Sequence, residues 1–429
     1  MNALTQRSMA VCAALSLLTL PILESGCLVE NLCEQEPTRE ECVLAPIEGQ
    51  VTLQSLRLPL QGGELRVKAE GNPASVEVLL SPKGLTAQRV ALLRGADGLW
   101  TAKVKPQELW PTLGPGPLPL VISTPQMSRD ATLRLFVPPQ FGPDVSRSAR
   151  VLWLSVVNRH VITLEQGATE RSFGDWTYQA PLLNRTGSIP ASLGYIPPMT
   201  GMFSCSESAC LRLMPSGAGW QLQQSPVGEL RYTDIESSLD YGSLLGLAVG
   251  KRGAGNLLAV AGEGGSGKGL RAYRLPDGGA AMAQKLTVDV PGPVSLLSVG
   301  WLDDNADADL VTIGKDGAPS VLLGSASGLT LDVMASQRLS EQLGSEPVRA
   351  LAIADLDRDG LADVVLSRKS QLQWLASQSD RSFTTPSVLV DLPDTASTLD
   401  VGQIDANDSP DIAISLLGVT FVAYLNQAP

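Results

Sequence analysis

A nine-residue acidic loop between two apolar strands recurs three times in the last third of this 429-residue chain, and its spacing limits the available folds. The clearest copy reads Val348-Arg-Ala-Leu-Ala-Ile-Ala-Asp-Leu-Asp-Arg-Asp-Gly-Leu-Ala-Asp-Val-Val-Leu366. The segments Val294 to Thr312 and Ser397 to Ile414 repeat its outline, and Leu244 to Val260 is a worn copy. The last aspartates of the three good loops, Asp309, Asp363 and Asp411, lie 54 and 48 residues apart. Each unit reads strand, polar loop, strand, turn, strand. A repeat of about 40–50 residues built this way is a propeller blade. One blade cannot bury both its faces, so blades must stack around an axis. Residues 141–429 leave room for six or seven blades. The last is expected to borrow a strand from the start of the domain, which closes the ring and removes exposed edges.

The loop Asp355-x-Asp357-x-Asp359-Gly360-x-x-Asp363 suits calcium, which takes six to eight oxygens at about 2.3–2.6 Å. Alternate residues of a tight loop aim carboxylates at one centre, Gly360 permits the turn, and Asp363 closes the cage from the next strand. The carbonyl of Leu361 supplies a further oxygen. An EF-hand would need Glu at the twelfth loop position, which is Leu366. The alternative is an acidic turn without metal, its Asp side chains capping backbone N–H groups. The loop at 403 offers Gln403, Asp405, Asn407 and Asp411, of which two are carboxylates. At 301, Trp301 takes the first ligand position and leaves Asp303, Asn305 and Asp309. Lys251, Gly253 and Gly255 replace the acids of the worn copy, so no ion is expected there. Residues 240–429 resemble the FG-GAP/VCBS repeat family of integrin-type β-propellers; residues 140–240 resemble it poorly. The resemblance implies calcium in a structural role and a propeller that works by recognition or adhesion.

Ahead of the repeats, a chain of this length exceeds what one hydrophobic core supports, about 250–300 residues. Between Ile47 and Pro138 apolar residues alternate, as in Val51-Thr-Leu-Gln-Ser-Leu-Arg-Leu58 and Glu64-Leu-Arg-Val-Lys-Ala69. Turn signals such as Gly62-Gly63 and Asp97-Gly98 separate some seven short strands. This predicts a small β-sandwich of immunoglobulin-like size over 47–138, making the whole chain all-β. No long stretch outside the N-terminus carries apolar residues at helical spacing.

Arg7 precedes an apolar run from Met9 to Leu23, short of the about 20 residues that span a bilayer. Residues 1–26 are therefore read as a signal peptide. Leu23-Glu24-Ser25-Gly26-Cys27 resembles the lipobox of bacterial lipoproteins, with Glu24 where that family carries Leu. The resemblance implies acylation of Cys27 and an outer-membrane lipoprotein of the cell envelope. The alternative is an ordinary signal peptide cleaved nearby. Residues 27–46 read as an acidic tether. With Cys12 removed and Cys27 acylated, Cys33, Cys42, Cys205 and Cys210 remain, an even number suited to an oxidising compartment. Cys33–Cys42 and Cys205–Cys210 are the close pairs, although sequence does not fix connectivity. A zinc site is disfavoured by the absence of C-x-x-C spacing and by a single histidine, His160.

A net charge of −12 repels phosphate backbones and argues against nucleic acid. Gly262 to Gly269 nearly matches a phosphate-cradling loop, but Gly269 stands where the magnesium-binding hydroxyl belongs. It reads as a glycine-rich hairpin. His160 reads as a turn or strand residue, and no G-x-S-x-G elbow is present. The expected function is a lipid-anchored, non-enzymatic module that binds a protein or glycan partner. The rival is an extracytoplasmic polysaccharide-acting enzyme with a carboxylate pair in the propeller channel.

Overall fold

The computed structural model describes residues 50–428 except for 143, 158, 167–170, 191–202, 206–208, 217–218, 227–232, 240–242, 250–255, 264–268, 276–283, 287, 289, 291 and 418–419. The signal peptide, the tether, Cys27, Cys33 and Cys42 lie outside the described residues, as do Lys251, Gly253 and Gly255. The chain divides into two compact units. Of the described residues, the first comprises Gln50–Ser55, Glu64–Val104 and Pro119–Ala131; the second comprises Leu56–Gly63, Lys105–Leu118 and those from Thr132 onward.

Eight strands lie between Val51 and Phe136: β1 Val51–Leu53, β2 Arg57–Pro59, β3 Gly63–Ala69, β4 Val76–Leu80, β5 Gln88–Arg94, β6 Trp100–Val104, β7 Gly116–Ser123 and β8 Ser128–Phe136. The first unit follows the order β1-β3-β6-β5-β4-β7-β8. Its strands obey period two. In β3, Leu65 and Val67 are buried while Glu64, Arg66 and Lys68 face water. β4 buries Val76, Val78 and Leu80 in the same way. In the second unit, β2 runs parallel to the end of β8, pairing Arg57 with Arg134 and Pro59 with Phe136.

Among the described residues the second unit also holds six four-stranded sheets, so the blade number left open by the sequence is six. Blade 1 holds β10 Val151–Val157, β11 His160–Gln166, β12 Arg171–Gln179 and β13 Leu182–Pro190. Blade 2 holds β14 Phe203–Cys205, β15 Ala209–Ser216, β16 Gly219–Pro226 and β17 Thr233–Leu239. Blade 3 holds β18 Ser243–Val249, β19 Asn256–Glu263, β20 Leu270–Leu275 and β21 Gln284–Leu286. Blade 4 holds β22 Val294–Gly300, β23 Asp309–Gly314, β24 Pro319–Ser325 and β25 Gly328–Asp332. Blade 5 holds β26 Val348–Ala354, β27 Asp363–Arg368, β28 Gln371–Leu375 and β29 Ser387–Asp391. Blade 6 holds β30 Ala396–Gly402, β31 Asp411–Leu416 and β32 Thr420–Tyr424, and takes its outer strand from β9, Val145–Ser148. The register pairs Phe421 with Arg147 and Ala423 with Val145, which is the borrowed strand the sequence called for. The first strands of successive blades touch in turn, and β30 touches β10, so the ring is closed.

Stacking explains why the second strand of a blade reads as a continuous apolar run. Every residue of β27 and of β31 is buried, since each blade is covered on both faces. Adjacent residues serve different cores. Val364 and Leu366 pack toward blade 4 with Val311, Ile313 and Ile353, whereas Val365 packs toward blade 6 with Leu399 and Ile412. At the closing junction Ala413, Phe421 and Ala423 of blade 6 meet Val156, Val161 and Trp176 of blade 1. Phe421 and Trp176 meet edge to face at 5.1 Å. Close blade approach requires glycine at two strand ends: a Cβ on Gly300 would lie 2.2 Å from Ile353 Cγ2, and one on Gly402 would lie 2.9 Å from Val156 Cγ1.

Among the described residues, two helices interrupt the strands. α1 is the single turn Pro106–Leu109. α2, Val333–Leu343, corrects the expectation that no helical stretch lies beyond the N-terminus. Asp332 caps it by accepting from Ala335 N, and Ala335, Leu339 and Leu343 form its buried stripe. Val333 and Met334 are apolar but exposed, which blurred the helical period in the sequence.

Candidate functional site

The three acidic loops share one construction, visible when each is read backward from its last aspartate. Asp309 accepts Leu302 N at 2.6 Å and Gly324 N at 2.7 Å. Asp363 accepts Leu356 N at 3.2 Å and Ser377 N at 3.0 Å. Asp411 accepts Ile404 N at 2.7 Å, Asp405 N at 3.1 Å and Asn426 N at 2.8 Å. In each of these blades the carboxylate thus ties the start of its loop to the end of the third strand. All three side chains are fully buried. Burial pushes Asp309 up to about 7 and Asp411 up to about 6, against the lowering effect of their backbone donors. Burial also carries Asp363 well above the carboxylate range; Arg57 opposes this, and the neighbouring Asp359 and Asp355 reinforce it.

Six residues before the clasp stands an aspartate that forms an Asx turn: Asp303 accepts Asn305 N, Asp357 accepts Asp359 N and Asp405 accepts Asn407 N. Four residues before it, Asn305, Asp359 and Asn407 each accept the N–H two residues on. Here the loops diverge. Asn305 Nδ2 donates to Gly324 O at 3.1 Å, and Asn407 Nδ2 donates to Asn426 O at 2.8 Å and to Asp405 Oδ2 at 3.0 Å. An ionised Asp359 has no proton to give.

Arginine supplies the donors instead. Arg57 Nε meets Asp359 Oδ2 at 2.9 Å, and Arg57 Nη2 meets Asp357 Oδ2. Both carboxylates are 0 % exposed and the Arg57 side chain 8 %, so this is a buried, forked ion pair. The guanidinium lies 4.4 Å from the centre of the Phe136 ring and 5.9 Å from that of Trp374. Arg134, 1 % exposed, donates from Nη1 to Asp359 O at 2.9 Å and pairs through Nη2 with Asp304. Val137 N donates to Asp357 O at 3.0 Å.

The loop gathers its carboxylates, and most of their oxygens already have partners. Ligand atoms of Asp355, Asp357 and Asp363 lie within 4.8 Å of one another, the one such carboxylate group among the described residues. Asp355 Oδ2 accepts Gly360 N at 3.0 Å, and Gly360 has φ +93°, as the tight turn requires. Yet one oxygen each of Asp357 and Asp359 is taken by Arg57, and both oxygens of Asp363 accept backbone N–H. Leu361 is buried, its N–H bonded to Asp359. In the 403 loop Gln403 is exposed, Asp405 and Asn407 are half-buried, and amide donors satisfy the loop's own carboxylates.

The other singled-out residues fall into place in the strands. His160 opens β11, its Nδ1 2.7 Å from Asp175 Oδ1. Residues 264–268 of the glycine-rich segment lie outside the described residues; β19 and β20, on either side of them, are an antiparallel pair. Cys205 and Cys210 are register partners of β14 and β15. Arg57 and Arg134 carried no sequence signal: they sit 300 and 225 positions from the aspartates they hold.

No family model matches this chain, and no curated protein matches it. Solved structures similar to it include AofleA from Arthrobotrys oligospora, at 11% identity and TM-score 0.44, covering 67% of this chain and 87% of that one. A Thermus thermophilus protein named as an oxidoreductase (glucose dehydrogenase) aligns at 11% identity and TM-score 0.42, covering 67% of this chain and 100% of that one. Apo AztD from Citrobacter koseri aligns at 8% identity and TM-score 0.32, covering 80% and 77%. Likenesses this distant bring no activity to the chain, and the propeller rests on its own strand topology.

Proposed function

We propose that the chain is an exported, non-catalytic propeller that binds a protein or glycan partner at the cell envelope. One observation carries this reading: among the described residues, every buried carboxylate is committed. Asp309, Asp363 and Asp411 hold backbone N–H groups, Asp357 and Asp359 hold Arg57, and Glu165 accepts from Thr163, Trp176 Nε1 and Arg185. General acid–base cleavage of a glycan needs a carboxyl pair free to exchange protons with substrate. Such a pair is not found among these buried groups. The apolar run before Cys27 supports export, and the lipobox-like segment supports a lipid anchor.

The test uses the full chain expressed with its own leader. Fractionation is expected to recover it with membranes, and Cys27→Ala to release it to the soluble fraction. Purified protein is then passed over immobilised envelope polysaccharides and an envelope protein extract. Saturable retention with no release of reducing ends is the expected result. Steady reducing-end release from any retained polysaccharide would overturn the non-catalytic reading.

A further inference from the structure

We propose that the Arg57 guanidinium is the resident cation of loop 355–363, and that calcium enters this loop only when Arg57 leaves it.

The first ground is charge. Asp355, Asp357, Asp359 and Asp363 fall within nine residues, and the middle two are fully buried. Two buried like charges side by side require a counter-charge within bonding distance. Arg57 provides it by giving a separate nitrogen to each carboxylate, the forked geometry that distinguishes guanidinium from ammonium.

The second ground is comparison within the ring. The blade 4 and blade 6 loops have the same Asx turns and the same clasp, but carry Asn305 and Asn407 where blade 5 carries Asp359. Each asparagine donates its own amide N–H to the carbonyl 19 residues on. Of these three loops, the one without a side-chain amide at this position receives Arg57, which donates to Asp357 Oδ2 as Asn407 Nδ2 donates to Asp405 Oδ2.

The third ground is positioning. β2 is fixed along β8 by Arg134 N to Leu56 O at 3.0 Å and Leu60 N to Phe136 O at 2.8 Å. β8 runs on to Val137, whose N–H bonds the loop itself at Asp357 O. The Phe136 ring backs the guanidinium plane. Arg57 thus arrives pre-ordered, and ordering it in the loop costs little side-chain entropy.

The consequence is mutual exclusion. Calcium needs six or more oxygens, and Arg57 holds one on each of Asp357 and Asp359. A site open for about 1% of the time binds its ion about 100-fold more weakly than its open form does.

Calcium chloride is titrated calorimetrically into chelator-stripped full-length protein, wild type and Arg57→Met, and both are melted with and without chelator. Wild type is expected to show no saturable uptake and a melting temperature indifferent to chelator. Arg57→Met is expected to melt lower in chelator, to regain stability with calcium, and to bind at least about 10-fold more tightly than wild type. The double variant Arg57→Met with Asp359→Asn rebuilds the sister-loop chemistry and is expected to respond less to calcium than Arg57→Met. Saturable uptake by wild type as tight as that of Arg57→Met overturns the proposal, and so does a folded Arg57→Met that takes up no calcium. Should Arg57→Met not fold in either condition, wild type decides: a transition lowered by chelator refutes Arg57 as the resident cation, and an indifferent one upholds it.

Discussion

Replacing Asp309 with Asn should alter the way stability depends on pH more than stability itself. Asp309 is fully buried, and burial raises it from 3.8 to about 7. A carboxyl raised on folding binds a proton in the folded state that the unfolded chain has released. Its stabilising effect is complete below about pH 4 and disappears as pH climbs through about 7. Each pH unit in that window removes about 1.4 kcal/mol, so wild type loses about 3 kcal/mol from this group between about pH 5 and about pH 8. Asparagine keeps one acceptor for Leu302 N or Gly324 N and turns an N–H toward the other, which costs about 1–3 kcal/mol at every pH. Asp309→Asn is thus expected to be less stable than wild type near pH 5 and to match or exceed it near pH 8. Urea unfolding across that range measures the difference directly. Asp411 shifts in the same direction but is present in both proteins, so it cancels. A difference between the two that stays constant with pH, or that widens as pH rises, would refute the buried-acid account of the clasp.

The ring makes further demands. Phe421→Ala empties the blade 6–blade 1 junction and should cost about 3–5 kcal/mol in denaturant unfolding, whereas Leu417→Ala, at an exposed side chain, should cost little. Gly300→Ala puts a methyl against Ile353 Cγ2 and should destabilise by about 1–3 kcal/mol, and should cost less in an Ile353→Ala background, which lacks that atom. Asp332→Ala removes the cap of α2 and should cost about 1 kcal/mol, measured as a shift in melting temperature.

Much of the second unit could be read in advance because its constraint is local. A strand buried on both faces must be apolar at consecutive positions, and Val364-Val365-Leu366 and Ile412-Ala413-Ile414 say so directly. The borrowed strand followed from the need to close an edge. Blade 2 was hard to read because stretches such as Gln221-Leu-Gln-Gln-Ser225 have few apolar residues to set a period. α2 was missed because only three of its eleven residues are buried. The acidic loops were found by spacing, but spacing cannot tell a carboxylate that grips an ion from one that grips backbone N–H groups. Asp309, Asp363 and Asp411 each have a bonding partner at the third strand's end, 14 or 15 residues on, which no local pattern announces. Arg57 was beyond reach, since nothing near it in sequence carries the charge it neutralises.

Because neighbouring side chains of a middle strand belong to opposite seams, sliding such a strand by one position would exchange the contents of two seams at once. Asp309, Asp363 and Asp411 are the opening residues of those strands, and each is bolted at both ends. They act as indexing pins. The propeller can vary the outward tips of its loops freely, provided the count of residues from pin to seam stays the same.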